Sequence, residues 1–496
     1  MTLRLKPRKS KGKVSFTQDN FYARWRVESG LVSVLREDTD SPPEKLLQAV
    51  WQHQRLLRDR LATLDGQALL VLHPGFHNLE GGPDFRQAII QFGDATPRQG
   101  DVEVDLRASG WHAHGHDRNP AFSNVVLHVV WESERPAVGA PPLLRLRDVL
   151  DSPLGELSLW LGGETMPGFP EMLRGKCCEP LRSLSPEQTL ELLHQAAQVR
   201  LRSKAALFQA RARQVGWEQS LWEGLFRALG YKHNVWPMQR LGELRPRWGG
   251  AVNQSSHGKA WPLQVRLLGL SGLLPAELAG VSKGNDTYLR GIWDQWWRER
   301  DEFSDVVLPR AAWRLHGLRP ANHPQRRLAL AAGWSAAGPL TVRLQSWCAA
   351  DLKHSAMCGA LLDCLQVDAD EFWSWHWTLR SARLKQLQPL LGPTRLADLA
   401  MNVVIPWLWT RAVEGKNRDV QQLLEDRYFH WPAAEDNSLL KLARQRLLGS
   451  AHTPCLRGAA AQQGLIQIVR DFCEHSDSLC QNCKLPDLVK EFAAPK

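Results

Sequence analysis

The sequence has little of what several classes of protein require. Its apolar runs, such as Val403–Leu408, are far shorter than the ~18 residues that a membrane-spanning helix needs. The start of the chain lacks the charged, apolar and small-residue order of a signal peptide, so we expect a cytoplasmic protein without membrane contacts. No Walker A motif is present, which argues against ATP hydrolysis. Nine cysteines in 496 residues are too few for a disulfide scaffold and are expected to be thiols or metal ligands.

What the sequence does contain is typical of a large globular protein. Hydrophobic residues make up 43% and charged residues 23%, which allows a sizeable core and excludes disorder for most of the chain. The net charge of +10 favours a polyanionic partner, with DNA as the main expectation and RNA as the alternative. The competing interpretation is that the charge serves only solubility.

The expected fold class is α+β, an α/β domain followed by a large, mostly α-helical region. Ser41 to Glu44 has the serine, prolines and early acid of a helix start, and strand-like segments follow at 68–72, 86–92, 101–106 and 124–131. From Ser185 onward, leucine- and alanine-rich segments indicate helices. The expected divisions are a basic flexible tail (1–20), a nuclease-like α/β domain (21–155), a linker (156–184), a helical region (185–430) and a helical cap with a four-cysteine metal site (431–496).

Acidic residues concentrate on two adjacent expected strands. Asp101, Glu103 and Asp105 alternate with valines and therefore share one face of a strand. A turn around residues 94–100 would bring this strand beside the one that starts at Asp84, so that Asp84 and Glu103 converge. Carboxylates placed in this way suit Mg²⁺ or Mn²⁺, with Asp101 or Asp105 assisting as a further ligand or orienting water. The alternative is a tight turn and an edge strand whose acids face water.

This order of residues resembles the PD-(D/E)XK nuclease superfamily over about residues 40–135. The resemblance implies that Glu44 is the acid of the first helix, that Pro83-Asp84 opens the second strand and that Glu103 is the second metal ligand. The family has a lysine two positions further on, where this chain has Asp105. Either another residue has taken over the role of the lysine, such as Arg107 or a histidine, or the domain binds without cutting.

Histidines are dense just after these acids. His112, His114 and His116 would share one face of an extended segment, and His128 lies on the next expected strand. His114 or His116 could carry protons as a general base beside the metal. The imidazoles could instead form a transition-metal site of their own, or simply belong to a polar loop.

Four cysteines near the end of the sequence have the spacing C-x17-C-x6-C-x2-C; they are Cys455, Cys473, Cys480 and Cys483. Four thiolates suit either an iron–sulfur cluster or Zn²⁺. The last three resemble the iron–sulfur loop of endonuclease III-type DNA glycosylases, in which a fourth cysteine follows. Here Val489 stands at that position, so Cys455 would supply the fourth ligand. The alternative is a chance pair with the other thiols in the core. The remaining cysteines are expected to be structural: Cys177, Cys178, Cys348, Cys358 and Cys364.

Two basic segments are candidate nucleic-acid contacts, and both could equally be solvated surface. The first comprises Arg319, Asn322, Arg326 and Arg327, just before an Ala/Leu helix whose N-terminus would favour phosphate. The second comprises Arg200 and Lys204, which lie near one face of an expected helix.

Several segments together resemble an uncharacterised bacterial family known only as a domain of unknown function. They include residues 82–85, 100–103, 127–130, 228–232 and 319–327, and the resemblance spans most of the chain without implying an activity. The combined expectation is a Mg²⁺-dependent nuclease that cleaves DNA phosphodiesters. It would act in repair or defence, where a complex with protein partners is possible. One alternative is a non-catalytic nucleic-acid-binding or scaffold subunit with a degenerate nuclease fold. Another is a histidine-based metalloenzyme that acts on a small molecule.

Overall fold

The computed structural model describes residues 20–32, 41–78, 81–132, 139–161, 177–231, 233–250, 259–275, 286–435, 438–449, 458–473, 480 and 483–494. The chain is a mixed α/β protein, in which a curled half-barrel sheet is combined with a large helical region. The expected succession of an α/β part and a mostly helical part is therefore confirmed.

The strands of the described residues form one six-stranded mixed sheet. They are β1 (Leu69–His73), β2 (Phe76–His77), β3 (Phe85–Phe92), β4 (Arg98–Arg107), β5 (Val125–Glu132) and β6 (Leu143–Arg145). The order across the sheet is β1-β3-β4-β5-β6, with β2 paired to β3. β3 runs antiparallel to β1 and β4, whereas β5 runs parallel to β4 and β6. All four strand-like segments expected from the sequence are strands.

Helices account for most of the remaining described chain. They are α1 (Phe21–Glu28), α2 (Glu44–Gln52), α3 (Gly110–Ala113), α4 (Leu154–Leu161), α5 (Cys178–Ser183), α6 (Pro186–Val215), α7 (Trp217–Leu229), α8 (Val235–Glu243), α9 (Arg245–Trp248), α10 (Trp261–Leu270), α11 (Asp286–Glu299), α12 (Pro324–Ala336), α13 (Leu340–Ala349), α14 (His354–Leu365), α15 (Pro393–Leu399), α16 (Ile405–Glu414), α17 (Arg418–Phe429), α18 (Ser438–Ala443), α19 (Ala459–Ile468) and α20 (Leu485–Ala493). The π-helical segments Ala400–Val404, Arg444–Leu448 and Val469–Cys473 continue α15, α18 and α19.

Strand alternation and one amphipathic helix position the acids of β4. Val102 and Val104 are fully buried, in a core to which α2 contributes Leu47, Val50 and Trp51. Glu103 and Asp105 take the alternate positions of β4 and therefore point to the other side of the strand. α2 begins directly after Pro43 with Glu44 in its first turn and packs against β4. The helix start thus brings the Glu44 carboxylate toward the acids of the sheet.

The start of the helical region is encoded locally. Ser185 and Gln188 cap α6 reciprocally, because the Ser185 hydroxyl accepts a hydrogen bond from the Gln188 N–H (3.1 Å) and the Gln188 side chain accepts one from the Ser185 N–H (3.0 Å). Pro186 occupies the first turn, where its missing N–H costs nothing. The helix start predicted at Ser185 is confirmed.

The first described helix packs with the last part of the chain and not with the sheet. Tyr22 and Trp25 of α1 lie in a core shared with Phe472, and the Tyr22 hydroxyl donates to the Asp471 carboxylate at 2.7 Å. Arg26 forms a buried ion pair with Asp471 at 2.9 Å. The sequence-based division 21–155 therefore groups α1 with the wrong packing partner, since helix amphipathicity does not say which core a helix joins.

Two of the other predicted divisions, the basic tail and the linker, contain residues outside the described part of the chain. The basic tail lies outside the described residues except for Asn20, which caps α1. The predicted linker 156–184 contains most of α4 and all of α5, and its residues 162–176 lie outside the described part. Among the helices that the structure describes, none combines the length and the apolar character that crossing a membrane requires.

Candidate functional site

Six residues predicted from the sequence lie close together beside the sheet. They come from the start of α2, the start of β3, the middle of β4 and the segment after α3. We call them the acid–histidine cluster; they are Glu44, Asp84, Glu103, Asp105, His114 and His116. The β3–β4 pairing aligns Phe85 with Val102, which brings the start of β3 beside the middle of β4.

Asp84 and Glu103 are joined through the backbone. The Asp84 carboxylate accepts a hydrogen bond from the Val104 N–H at 3.0 Å, and the Asp84 N–H donates to the Glu103 carboxylate at 3.1 Å. Gln48 of α2 donates to Asp84 at 2.9 Å and to Glu44 at 3.2 Å. Gln48 was missed in the sequence, although it lies four residues after Glu44 and therefore on the same helix face.

Asp105 is held by two histidines. His128 of β5 is fully buried and its Nε2 lies 2.9 Å from the Asp105 carboxylate. His114 Nδ1 lies 3.4 Å from the same carboxylate. Gly110 allows the backbone at the start of α3 to approach the Asp105 carboxylate closely, because a Cβ there would lie about 3.0 Å from both carboxylate oxygens. The sequence pointed to His128 only as a histidine on the next strand.

His116 has a ring nitrogen, Nδ1, that could bind a metal ion and that makes no hydrogen bond within the protein. Its side chain is 9% exposed, its ring stacks on Phe122 at 3.9 Å, and Nδ1 lies 3.6 Å from the Glu103 carboxylate. Nδ1 is buried and makes no hydrogen bond. Burial lowers the pKa of His116, which favours the neutral imidazole with a free lone pair. One possible ligand atom from each of Asp105, His114 and His116 lies within 4.8 Å of the others.

Three carboxylates of the cluster, those of Glu44, Asp84 and Glu103, have raised pKa values and hold their protons unusually tightly. Burial raises the pKa of Glu103 to about 9, and the negative charge of Asp84 adds to this rise. Burial likewise raises the pKa of Asp84 to about 7, with Glu44 contributing, although the hydrogen bond from Val104 opposes the change. The pKa of Glu44 is also raised, first by burial and then by Asp105. A bound cation would stabilise the ionised forms and replace these protons.

Asp101 has a different local role from the one predicted. Its carboxylate accepts a hydrogen bond from the backbone N–H of Gln87 at 3.0 Å. Gln87 has a φ of 60°, and the β3–β4 register shifts between Phe85 and Ala88. Asp101 therefore supports a β-bulge, a feature that simple strand alternation does not anticipate.

The donor atoms of the cluster fit a divalent cation. Carboxylate oxygens suit Mg²⁺ and Mn²⁺, and the imidazoles of His114 and His116 widen the set to transition metals. A cation bound by the cluster would explain why the Nδ1 of His116 has no hydrogen-bond partner in the protein.

The two arginines predicted to contact nucleic acid in the segment before α12 are interior residues. Arg326 is 1% exposed and donates to the carbonyls of Trp373, His376, Gln388 and Pro389. Arg327 is also buried, and it donates to the carbonyls of Leu390 and Ala321 and to the Asn322 side chain. The predicted phosphate contact is therefore wrong for both, because their guanidinium groups satisfy buried carbonyls. Of this segment, Arg319 is exposed.

The second basic pair lines a cavity. Arg200 and Lys204 border a cavity of about 340 Å³, which is also lined by residues 53–56 that precede the sheet. The Arg200 Nε donates to Gln463 at 2.6 Å, and Lys204 Nζ donates to Asn402 at 2.5 Å. Arg200 is buried. Arg200 is therefore held inside the helical region, whereas Lys204 is only half-buried at the border of the cavity.

Of the four cysteines predicted to bind a metal, Cys455 lies outside the described residues. Cys473, Cys480 and Cys483 are described; Cys473 is buried and the other two are half-buried. Cys473 ends the π-helical segment after α19, and Cys483 comes just before α20.

Comparison with known proteins places the chain in a family. No curated protein and no solved structure gives a match. Residues 44–437 match the family described as a protein of unknown function, DUF2851. The matched range contains the whole acid–histidine cluster and ends before Cys473. Because the match covers most of the sequence, as the resemblance of scattered segments predicted, the chain belongs to the DUF2851 family.

Proposed function

We propose that this protein is a divalent-metal-dependent nuclease that cleaves DNA phosphodiesters at the acid–histidine cluster. The observation that carries the proposal is the convergence of four carboxylates beside the sheet, where the Nδ1 of His116, which makes no hydrogen bond, lies 3.6 Å from the Glu103 carboxylate. Buried like charges at this density are costly unless protons or a cation compensate them. A site for a cation explains why the fold keeps them together.

The arrangement of elements supports a nuclease over other metal-dependent hydrolases. The resembling superfamily has a helix with an acid, a strand, Pro-Asp at the start of a second strand and an acid on a third. Here α2 carries Glu44, β1 follows, Pro83-Asp84 precedes β3, and β4 carries Glu103. The departure is Asp105 in place of the lysine, and His116 beside Glu103 is the side chain that takes its place near the metal-binding acids.

The roles of the side chains follow from their surroundings. Asp84 and Glu103 would hold the cation, which when bound lowers the pKa of water and neutralises charge developing on phosphate. His128 fixes the orientation of Asp105 from the buried side. His114 is 57% exposed on its side chain and lies beside Asp105, so it can pass a proton between the cluster and solvent.

Two exposed arginines, each near an acid, lie close to the cluster in the sequence and could contact a phosphate backbone. The side chains of Arg107 and Arg118 are 75% and 90% exposed, and each lies two residues from a member of the cluster in the sequence. Together with the net charge of +10, these arginines favour a polyanion over a neutral small molecule.

A cleavage assay tests the proposal. Single- and double-stranded DNA would be incubated with the native chain, with Asp84→Asn and with Glu103→Gln, in Mg²⁺ or Mn²⁺. Asp94→Asn is the matched control, because Asp94 is an exposed acid in the turn between β3 and β4. Cleavage that is lost in both cluster variants and kept in the control supports the nuclease. DNA binding without cleavage by the native chain would instead support the non-catalytic alternative.

A further inference from the structure

A second group of possible metal ligands lies far along the chain from the acid–histidine cluster. Cys177 immediately precedes α5, and Cys483 lies two residues before α20. α5 and α20 pack against each other, and Cys177, Cys473 and Cys483 belong to a single apolar core. The fold therefore assembles three thiols that the sequence separates by nearly 300 residues.

Cys480 is tied to the same part of the fold through an arginine. Its φ is 68°, a left-handed conformation that side chains other than glycine rarely adopt. The Arg446 guanidinium lies 3.6 Å from the Cys480 sulfur. Arg446 belongs to the π-helical segment Arg444–Leu448, which packs against α5, the helix that follows Cys177.

The thiols are close enough to influence one another electrostatically. Burial raises the pKa of Cys177 well above its ordinary value, and the neighbouring Cys473, Cys483 and Cys480 thiolates raise it further. Burial raises the pKa of Cys483, to which Cys480 also contributes. These thiols therefore stay protonated in the absence of a metal ion, and a metal ion would have to take the place of the protons.

The neighbour of Cys177 in the sequence faces a different environment. A Cβ added to Gly449 would lie 2.7 Å from the Cys178 sulfur and 3.0 Å from the Arg182 guanidinium. Cys178 therefore packs against the end of the π-helical segment Arg444–Leu448.

We infer that Cys177, Cys473, Cys480 and Cys483 form a four-thiolate metal centre, in which Cys177 takes the place that the sequence pattern assigned to Cys455. The centre would fasten α5 and α20 to the π-helical segment Val469–Cys473 at the end of α19. It is independent of the acid–histidine cluster and of the proposed nuclease activity.

A single zinc ion would need the four sulfurs closer together than the fold places them. Four sulfurs at ~2.3 Å from one zinc ion would lie only ~3.8 Å from each other. Within the described part of the chain, no three of these cysteine sulfurs lie within 4.8 Å of one another. A wider set of soft thiolate ligands suits a larger polynuclear centre.

Metal analysis of single-cysteine variants tests the assignment. The full-length chain would be purified without oxygen and analysed for iron, zinc and acid-labile sulfide. We expect iron and sulfide in the native chain, loss of both in Cys177→Ser and Cys480→Ser, and retention in the matched controls Cys178→Ser and Cys455→Ser. Zinc with the same dependence on these residues would also support the ligand set. A metal-free native chain, or metal lost in Cys455→Ser and retained in Cys177→Ser, would overturn it.

Alkylation of the native chain covers the case in which a ligand variant fails to fold. Cys480 and Cys483 are half-buried, as are the control cysteines Cys358 and Cys364. With iodoacetamide and mass spectrometry, we expect the controls to react first and the two ligands to react only after the metal is removed. Equal reaction of all four half-buried thiols before metal removal would refute the centre.

Discussion

Binding of a divalent cation to the acid–histidine cluster should release protons in a number that depends on pH. Burial raises the pKa of Asp84 to about 7 and that of Glu103 to about 9. Because a cation binds ionised carboxylates, every proton on these groups must leave. At about pH 6 both groups are largely protonated and about two protons are displaced, whereas at about pH 8 about one is displaced, mainly from Glu103.

The dependence of affinity on pH follows from the same two values. Mn²⁺ affinity should rise about a thousandfold between about pH 6 and about pH 8, because fewer protons compete at the higher pH. Glu103→Gln removes the group with the higher pKa and weakens binding throughout. The rise that remains, from Asp84 alone, should be about tenfold over the same range. Asp94→Asn should keep the full dependence.

Isothermal titration calorimetry with Mn²⁺, in buffers of different ionisation enthalpy, measures both the affinity and the number of protons released. An affinity that does not change with pH would refute the reasoning. So would an equal pH dependence in the native chain and in Glu103→Gln, because Glu103 would then carry no proton to displace.

The same carboxyl groups should govern the stability of the metal-free protein. Both pKa values lie above the ordinary values of 3.8 and 4.5, so the folded state binds more protons than the unfolded state. This contribution to stability is fully present below the ordinary values and is lost as the pH rises through about 7 and then about 9. Thermal unfolding of the metal-free chain should show the fall, and excess Mn²⁺ should reverse it.

Three further predictions concern the fold. Arg326→Met should lower the free energy of unfolding, measured by urea denaturation, by roughly 3–5 kcal/mol, because it leaves buried carbonyls without a hydrogen-bond donor. The surface control Arg319→Ala should change it by less than about 0.5 kcal/mol. Gly464→Ala should cost roughly 1–3 kcal/mol by the same assay, because its Cβ would meet a backbone carbonyl oxygen of α6; a neutral effect would contradict the close contact of α6 and α19. Asp471→Asn should release α1, detected as faster proteolysis at Tyr22 and Arg26, and unchanged cleavage there would argue against the buried ion pair.

Local patterns in the sequence were sufficient for much of the sheet domain. The proline and acid before Leu46 mark the start of α2, and alternation in residues 101–106 separates the buried valines from Glu103 and Asp105. These signals are local because capping and strand alternation depend on residues a few positions apart. The convergence of Asp84 and Glu103 was also foreseen, since a short turn leaves antiparallel pairing as the simplest arrangement.

Partners from distant segments were harder to foresee. Gln48 and His128 reach the cluster because α2 packs against β4 and because β5 pairs parallel to β4 after a crossover. Nothing local in the sequence marks Arg326 as interior, since an arginine before a helix looks the same whether its partners are phosphates or buried carbonyls.

The sequence by itself determined which kinds of chemistry are available: grouped carboxylates, neighbouring histidines and a set of thiols near the end of the chain. It also determined the helix starts and strand faces, because backbone preferences act over a few residues. Only the tertiary structure decided which of these groups meet. Asp101 hydrogen-bonds to a β-bulge, Cys177 packs in the same apolar core as Cys473, and α1 packs in that core with the C-terminal helices. Burial and long-range packing decide such outcomes, because they depend on surfaces that separate segments form only when the chain is folded.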